Sequence, residues 1–298
     1  MGRRAFMLAV AGVLWICLFS GPASAQTLDR IAAGNAVHIG FVPGQAPFAI
    51  ENAGGPPTGY AIDLCNHVVA RIREIVPGIA VRYTEISLVD AFDAVASGKI
   101  DLLCGAITQT LERREKVDFS QAIFTTGMTG LLRRDSPRDL HELFLGERSI
   151  SPPRSPSLTP YLRSRIGVRQ GSTAETVLRQ AVAEGQYSVD LVEFEGHDQG
   201  LAALEARRID AYCADQALLL GLLSQARDPA RLVVGNRLLT REPYGIALAR
   251  GDSDLRLLVD RALTDFYATP EFAALLKTYF GARAGELQPQ IRAMAVPE

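Results

Sequence analysis

"FDAVASGKIDLLCGAITQTLERREKVDFS", residues 92–120, decides how this chain is read. With Leu88 to Asp90 before it, its opening forms a helix that stops at Gly98. "IDLLCG" is then apolar without alternation, the pattern of a strand buried on both faces. "GAITQT" is the loop that leaves the strand, and "LERREK" is a charged turn. The same grammar returns at residues 201–215, "LAALEARRIDAYCAD": helix, polar turn, then Ile-Asp into an apolar strand carrying a cysteine.

Working outward, "AVHIGFV" (36–42) reads as a first strand, "PGQAPF" as a loop and "ENAGGPPTG" as a hairpin turn. "YAIDLCNHVVARIREIV" is an amphipathic helix and "IAVRYTEI" the next strand. Strand, helix, strand, helix, strand implies a mostly parallel sheet covered by helices. A second set follows: "RIGVRQG" (strand and glycine turn), "STAETVLRQAVAE" (helix), "VDLVEF" (strand), "DQGLAALEARR" (helix) and "IDAYCAD" (strand). The expected class is therefore α/β, with two lobes built alike. "GERSISPPRSPSLTPYLRS" (146–164) is rich in Pro, Ser and Arg and reads as an exposed excursion on the second lobe. The last residues, "ARAGELQPQIRAMAVPE", read as loosely packed.

The chain has 298 residues and a formal net charge of −2. Its first 25 residues carry two arginines, an apolar run and the ending "ASA", the pattern of a secretory signal cleaved after Ala25. An uncleaved anchor is the rival reading, but the run Ala5 to Phe19 is short for a membrane span. Loss of Arg3 and Arg4 takes the formal charge from −2 to about −4, and no basic block argues for nucleic acid. Cys65, Cys104 and Cys213 remain after the signal. Cys65 and Cys104 form a disulfide, or all three are small buried hydrophobes; spacing does not decide. His38, His67, His141 and His197 have no metal-ligand spacing, and no phosphate loop, dinucleotide fingerprint or nucleophile elbow is present. No cofactor is expected.

In open α/β sheets, ligands sit where loops leave the carboxyl ends of strands. The "GAITQT" loop has backbone N–H groups and hydroxyls, and Arg113 can add a bidentate fork to a carboxylate, unless it belongs to a solvated surface turn. Arg114 points elsewhere. In the second lobe "GST" (171–173) stands where a strand feeds a helix, suited to an anion or to simple capping by Ser172 or Thr173. Asp215 leaves the strand "IDAYCA"; it can take an ammonium or cap the next helix. Together these make a carboxylate site and an ammonium site, as a zwitterion needs.

Taken in order, "LDRIAAGNAVHIGF", "APF", "TGYAIDL", "DLLCGAITQTLERREKVDFS", "IGVRQGST", "IDAYCADQALL" and "EPYGIALARGDSDLRLLVDRAL" make a pattern. With them the chain resembles the extracellular solute-binding proteins of the polar amino-acid type, soluble receptors of ABC importers, including members for glutamate/aspartate, glutamine and histidine. The resemblance implies two lobes joined by two crossover strands, at "GMTGLL" (127–132) and "EPYGIAL" (242–248). It divides the chain into a signal (1–25), lobe 1 (26–125), lobe 2 (126–242) and a return to lobe 1 with the tail (243–298). It implies a periplasmic monomer that closes on an L-amino acid and delivers it to an inner-membrane permease. Arg113 would hold the α-carboxylate with Thr108, Thr173 and Ser172, and Asp215 with the Ala106 carbonyl would hold the α-ammonium. Gln45 would meet a polar side chain and Leu88 an aliphatic one. His197 either joins them or lies on the surface. Members for acidic ligands often carry an arginine two residues past the first strand's glycine; Val42 stands there, so a neutral or mildly polar ligand is expected, with glutamate next.

Two rivals remain. A cyclohexadienyl (prephenate or arogenate) dehydratase on this fold needs a cleft acid to protonate a leaving hydroxyl; Glu193 and Glu195 come near the correct lobe, but no spacing singles either out. A soluble sensor would need a separate membrane receptor.

Overall fold

The computed structural model describes residues 27–146, 164–186 and 188–297. The expected signal segment, and the excursion apart from its two end residues, lie outside the described residues. Helix α1 (Thr27–Gly34) leads into β1 (Ala36–Phe41), and the hairpin β2 (Ile50–Asn52) and β3 (Gly55–Thr58) precedes α2 (Tyr60–Ile75). Then come β4 (Ala80–Glu85), α3 (Leu88–Ala96), β5 (Leu102–Cys104), the single turn α4 (Leu111–Arg114), β6 (Val117–Phe119) and β7 (Phe124–Thr126). The second lobe holds β8 (Met128–Arg133), α5 (Arg138–Leu145), β9 (Ser164–Arg169), α6 (Thr173–Ala183), β10 (Val189–Phe194), α7 (His197–Glu205), β11 (Ala211–Asp215), α8 (Gln216–Leu223) and β12 (Leu232–Val234). The chain returns through β13 (Glu242–Tyr244) and β14 (Ala247–Ala249) to α9 (Ser253–Tyr267), α10 (Pro270–Phe280) and α11 (Ala284–Arg292).

Each lobe is built on one five-stranded sheet, ordered β4-β1-β5-β14-β6 in the first and β10-β9-β11-β8-β12 in the second. The βα units of each lobe supply three parallel strands; one reversed strand, β14 or β8, pairs antiparallel with both the last of these and an edge strand, β6 or β12, which therefore runs with the parallel set. Buried apolar runs such as Leu102–Cys104 occupy the sheet interiors, with helices packed over them. The helix starts are set locally: Ser87, Ser172 and Thr269 each accept a hydrogen bond from a backbone N–H of the first turn, worth roughly 1 kcal/mol per cap. Gly98, at φ 72°, makes the left-handed stop that the sequence suggested for α3.

β7 and β13 pair antiparallel between the lobes, Phe124 opposite Tyr244 and Thr126 opposite Glu242. The first crossing is thus not at 127–132, where the sequence reading put it; most of that segment belongs to β8, inside the second sheet. Its glycine serves packing, since a Cβ on Gly130 would stand 2.7 Å from the Phe144 ring. Phe48, Tyr60, Phe124, Tyr244 and Phe280 form an aromatic cluster beneath the crossing.

Cys65 on α2 and Cys104 at the end of β5 form a disulfide, and Cys213 is a buried free thiol. The tail is not loose. Leu287 and Ile291 of α11 are buried, Arg292 Nε donates to the Tyr267 carbonyl, and the Thr125 hydroxyl of β7 lies 3.0 Å from the Met294 sulfur. Among the described residues, no helix is long and apolar enough to cross a membrane, and no group of three or more His, Cys, Asp or Glu is placed to hold a metal ion.

Candidate functional site

The parallel strands of both sheets end at one edge, so the loops after β1, β5, β9 and β11 face one another between the lobes. The turn α4 follows the β5 loop and is capped by Thr110, whose hydroxyl accepts from the Arg113 N–H at 3.1 Å. This aims the Arg113 guanidinium inward. Its Nη1 donates to the Thr108 carbonyl at 2.8 Å and its Nη2 to the Gly171 carbonyl of the other lobe at 3.2 Å, while the group lies over the Phe92 ring. Burial lowers its pKa, with Glu242 and Asp215 opposing, so it stays a cation. Arg114 points away, to Gln109 and the Phe119 ring, as the sequence suggested.

Asp215 ends β11 at the N-cap position of α8, yet its side chain makes no capping bond. Its Oδ2 accepts from the Tyr244 hydroxyl at 2.5 Å, and its Oδ1 is buried without a partner. Burial, then the neighbouring Glu242, raises its pKa to about 7, although the Tyr244 hydrogen bond and Arg113 pull it down. Burial also raises the Tyr244 pKa far above its usual value, so the phenol is neutral and donates.

All nine residues expected at the site line one small cavity: Gln45, Leu88, Ala106, Thr108, Arg113, Ser172, Thr173, His197 and Asp215. Their local roles change one expectation and decide between two alternatives in the other two cases. The Gln45 Oε1 accepts from the Ala106 N–H at 2.9 Å, so its oxygen holds the loop rather than a ligand. Ser172 is the α6 cap, its hydroxyl donating to the Arg169 carbonyl and accepting from Glu175 N–H, which leaves Thr173 in the first turn facing the cavity. His197 is not a surface residue. It is 6% exposed, its Nδ1 lies 2.9 Å from the Tyr212 hydroxyl, and burial with help from Arg169 pushes its pKa down to about 3, so the ring is neutral.

The cavity also contains a guanidinium that the sequence reading passed over, Arg169 at the end of β9. Tyr244 and the buried Glu242, both on the returning crossover strand, were missed as well. A charged residue ending an apolar strand beside a glycine turn was the available signal for Arg169. Tyr244 had none, because its partner Asp215 is brought to it only by the crossing. Glu193 and Glu195 stay outside the cavity, both exposed and Glu193 paired with Arg179, so neither is the cleft acid a dehydratase would need.

In this conformation the lobes touch. Gly171 lies against Val89, and a Cβ on Gly221 would stand 2.4 Å from the Ala46 carbonyl. The cavity has about 30 Å³, room for one or two waters, and beside it is a cleft of about 460 Å³ walled by Val89, Phe92, Val177 and Arg241. The cavity is too small for an amino acid in this conformation, and the paired strands β7 and β13 join the two lobes beside it.

Comparison with known proteins agrees with this architecture. The chain is 28% identical over 271 residues to an L-glutamate/L-aspartate-binding protein of Pseudomonas aeruginosa, covering 88% of this chain and 84% of that one. It is 27% identical to a glutamine-binding protein of Geobacillus stearothermophilus, covering 76% and 78%. Among solved structures it is similar to a Streptococcus pneumoniae ABC uptake transporter substrate-binding protein with bound histidine, at TM-score 0.71 and 19% identity, covering 87% and 97%. It is similar also to the ancestral amino acid-binding protein AncCDT-1, a precursor of cyclohexadienyl dehydratase, at TM-score 0.68 and 23% identity, covering 86% and 100%. Residues 37–282 match the bacterial extracellular solute-binding proteins, family 3, and to that family this chain belongs.

Proposed function

We propose that this protein captures an L-amino acid by lobe closure and passes it to the permease of an ABC importer, acting as a periplasmic monomer after signal cleavage at Ala25. One observation carries the reading: the unpartnered Asp215 Oδ1 and the Arg113 guanidinium line the same cavity. Arg113, with the Thr173 hydroxyl and the N-terminus of α6, suits an α-carboxylate; Asp215, with the Ala106 carbonyl, suits an α-ammonium. Because Arg113 reaches from one lobe to Gly171 of the other, a carboxylate placed there is gripped by both, and ligand favours the closed form.

A thermal-shift screen of the common amino acids tests this. At least one should raise the melting temperature, and Arg113→Ala should abolish that rise without unfolding the apoprotein. Asp215→Asn should weaken an amino acid far more than its deaminated analogue; equal losses would remove Asp215 from the ammonium site. A carboxyl with a raised pKa also suits a proton donor. Prephenate therefore belongs in the screen, with no aromatic product expected.

A further inference from the structure

The chemistry of the cavity says more about the ligand's side chain. Arg169 is 4% exposed; its Nη1 donates to the Pro43 carbonyl of the other lobe at 3.4 Å, and its Nε is buried without a partner. Among the described residues, no carboxylate forms an ion pair with it; Asp198 and Glu51 act on it from farther away. A buried cation in that state is costly unless a ligand supplies the counter-charge. Its neighbour His197 is neutral and offers none. β9 and β11 are adjacent and parallel, Val168 opposite Cys213, so Arg169 stands one strand away from Asp215. Strand spacing is about 4.8 Å, a distance that a side chain of two or three carbons spans.

We infer that the ligand is a dicarboxylic amino acid whose side-chain carboxylate is held by Arg169, with His197 forming the adjacent wall. This rests on the reading of Arg113 and Asp215 as holders of the α-groups. Two carboxylates and one ammonium on the ligand then meet two guanidiniums and one carboxylate in the cavity. A basic side chain would face Arg169 in repulsion, and an amide would leave its charge unmatched. The guanidinium comes from the second lobe and crosses to the loop after β1, where Val42 and Pro43 bring no charge. Arg169 reaches Pro43, the residue next to Val42.

The test titrates the protein calorimetrically with glutamate, aspartate, glutamine, asparagine and the γ-methyl ester of glutamate. One acid should bind at least about 100-fold more tightly than its amide or ester. Arg169→Gln should weaken that acid about 100-fold and leave the amide within about threefold. An amide bound as tightly as the acid by the unaltered protein overturns the proposal, as does an acid affinity untouched by Arg169→Gln. Should that variant fail to fold, the acid-to-amide ratio of the unaltered protein decides alone. Failure of the underlying reading looks different: no amino acid of any side chain binds, or Arg113→Ala leaves binding intact, and either result removes this proposal too.

Discussion

Asp215 and His197 line the same cavity and titrate in opposite senses. The Asp215 pKa is raised from 3.8 to about 7, so the folded protein holds its proton more tightly than the unfolded chain. That contribution to stability is complete below about pH 4 and is lost as pH rises through 7. The His197 pKa is lowered from 6.5 to about 3, so its contribution is complete above about pH 6.5 and is lost as pH falls toward 3. Between these limits the two slopes, each at most about 1.4 kcal/mol per pH unit, oppose one another. Denaturant unfolding of His197→Gln and of the unaltered protein, compared across pH 4 to 6.5, should therefore show the variant losing stability relative to the parent as pH rises. A second expectation concerns binding. Asp215 must be ionised to meet an ammonium, so ligand affinity should fall below pH 7 by up to tenfold per unit, and calorimetry in buffers of different ionisation enthalpy should detect proton release. At this scale the sequence was informative where chemistry sits at strand exits, as with Arg113 and Asp215. It was silent on Tyr244 and gave only a weak sign for Arg169, its place between an apolar strand and a glycine turn, because which arginine is buried, and which phenol meets Asp215, depends on contacts between lobes.

The disulfide links α2 to the end of β5, just before the loop that presents Ala106 and Thr108. With Cys65 and Cys104 separated by 39 residues, loop-closure entropy predicts that Cys65→Ser with Cys104→Ser costs about 4 kcal/mol in denaturant unfolding, and measured values for such bridges run near 2–4. Spacing could not choose this pair over three buried thiols, since cysteine pairing is a fact of tertiary contact. Helix α11 makes the same point from the other side. The tail reads as loose in sequence, while Leu287 and Ile291, four residues apart on one helix face, were its packing signal. Ile291→Ala, deleting a side chain that is 1% exposed, should cost about 2–4 kcal/mol. The helices and parallel strands of both lobes, by contrast, were legible, because burial on two faces and helical amphipathicity leave local patterns.

For the molecule as a whole, closure brings α8 onto the loop after β1. Gly221→Ala would place a methyl group 2.4 Å from the Ala46 carbonyl of the facing lobe. The substitution favours the helix by about 1 kcal/mol but obstructs the closed form, an overpacking cost of roughly 1–3 kcal/mol. Stability should hold or rise while ligand affinity drops about 5- to 150-fold, with the cavity itself unchanged; calorimetry beside denaturant unfolding separates the two effects. The route of the chain between lobes carries a last consequence. The second sheet is made from one unbroken stretch, β8 to β12, whereas the first needs β14, and its core needs α9 to α11, from the far end. As residues emerge in order during synthesis, the inserted lobe has all its strands before its host does. The host must wait, with apolar surface uncovered, until the polypeptide is nearly complete, and this waiting interval is where a chaperone's protection matters most.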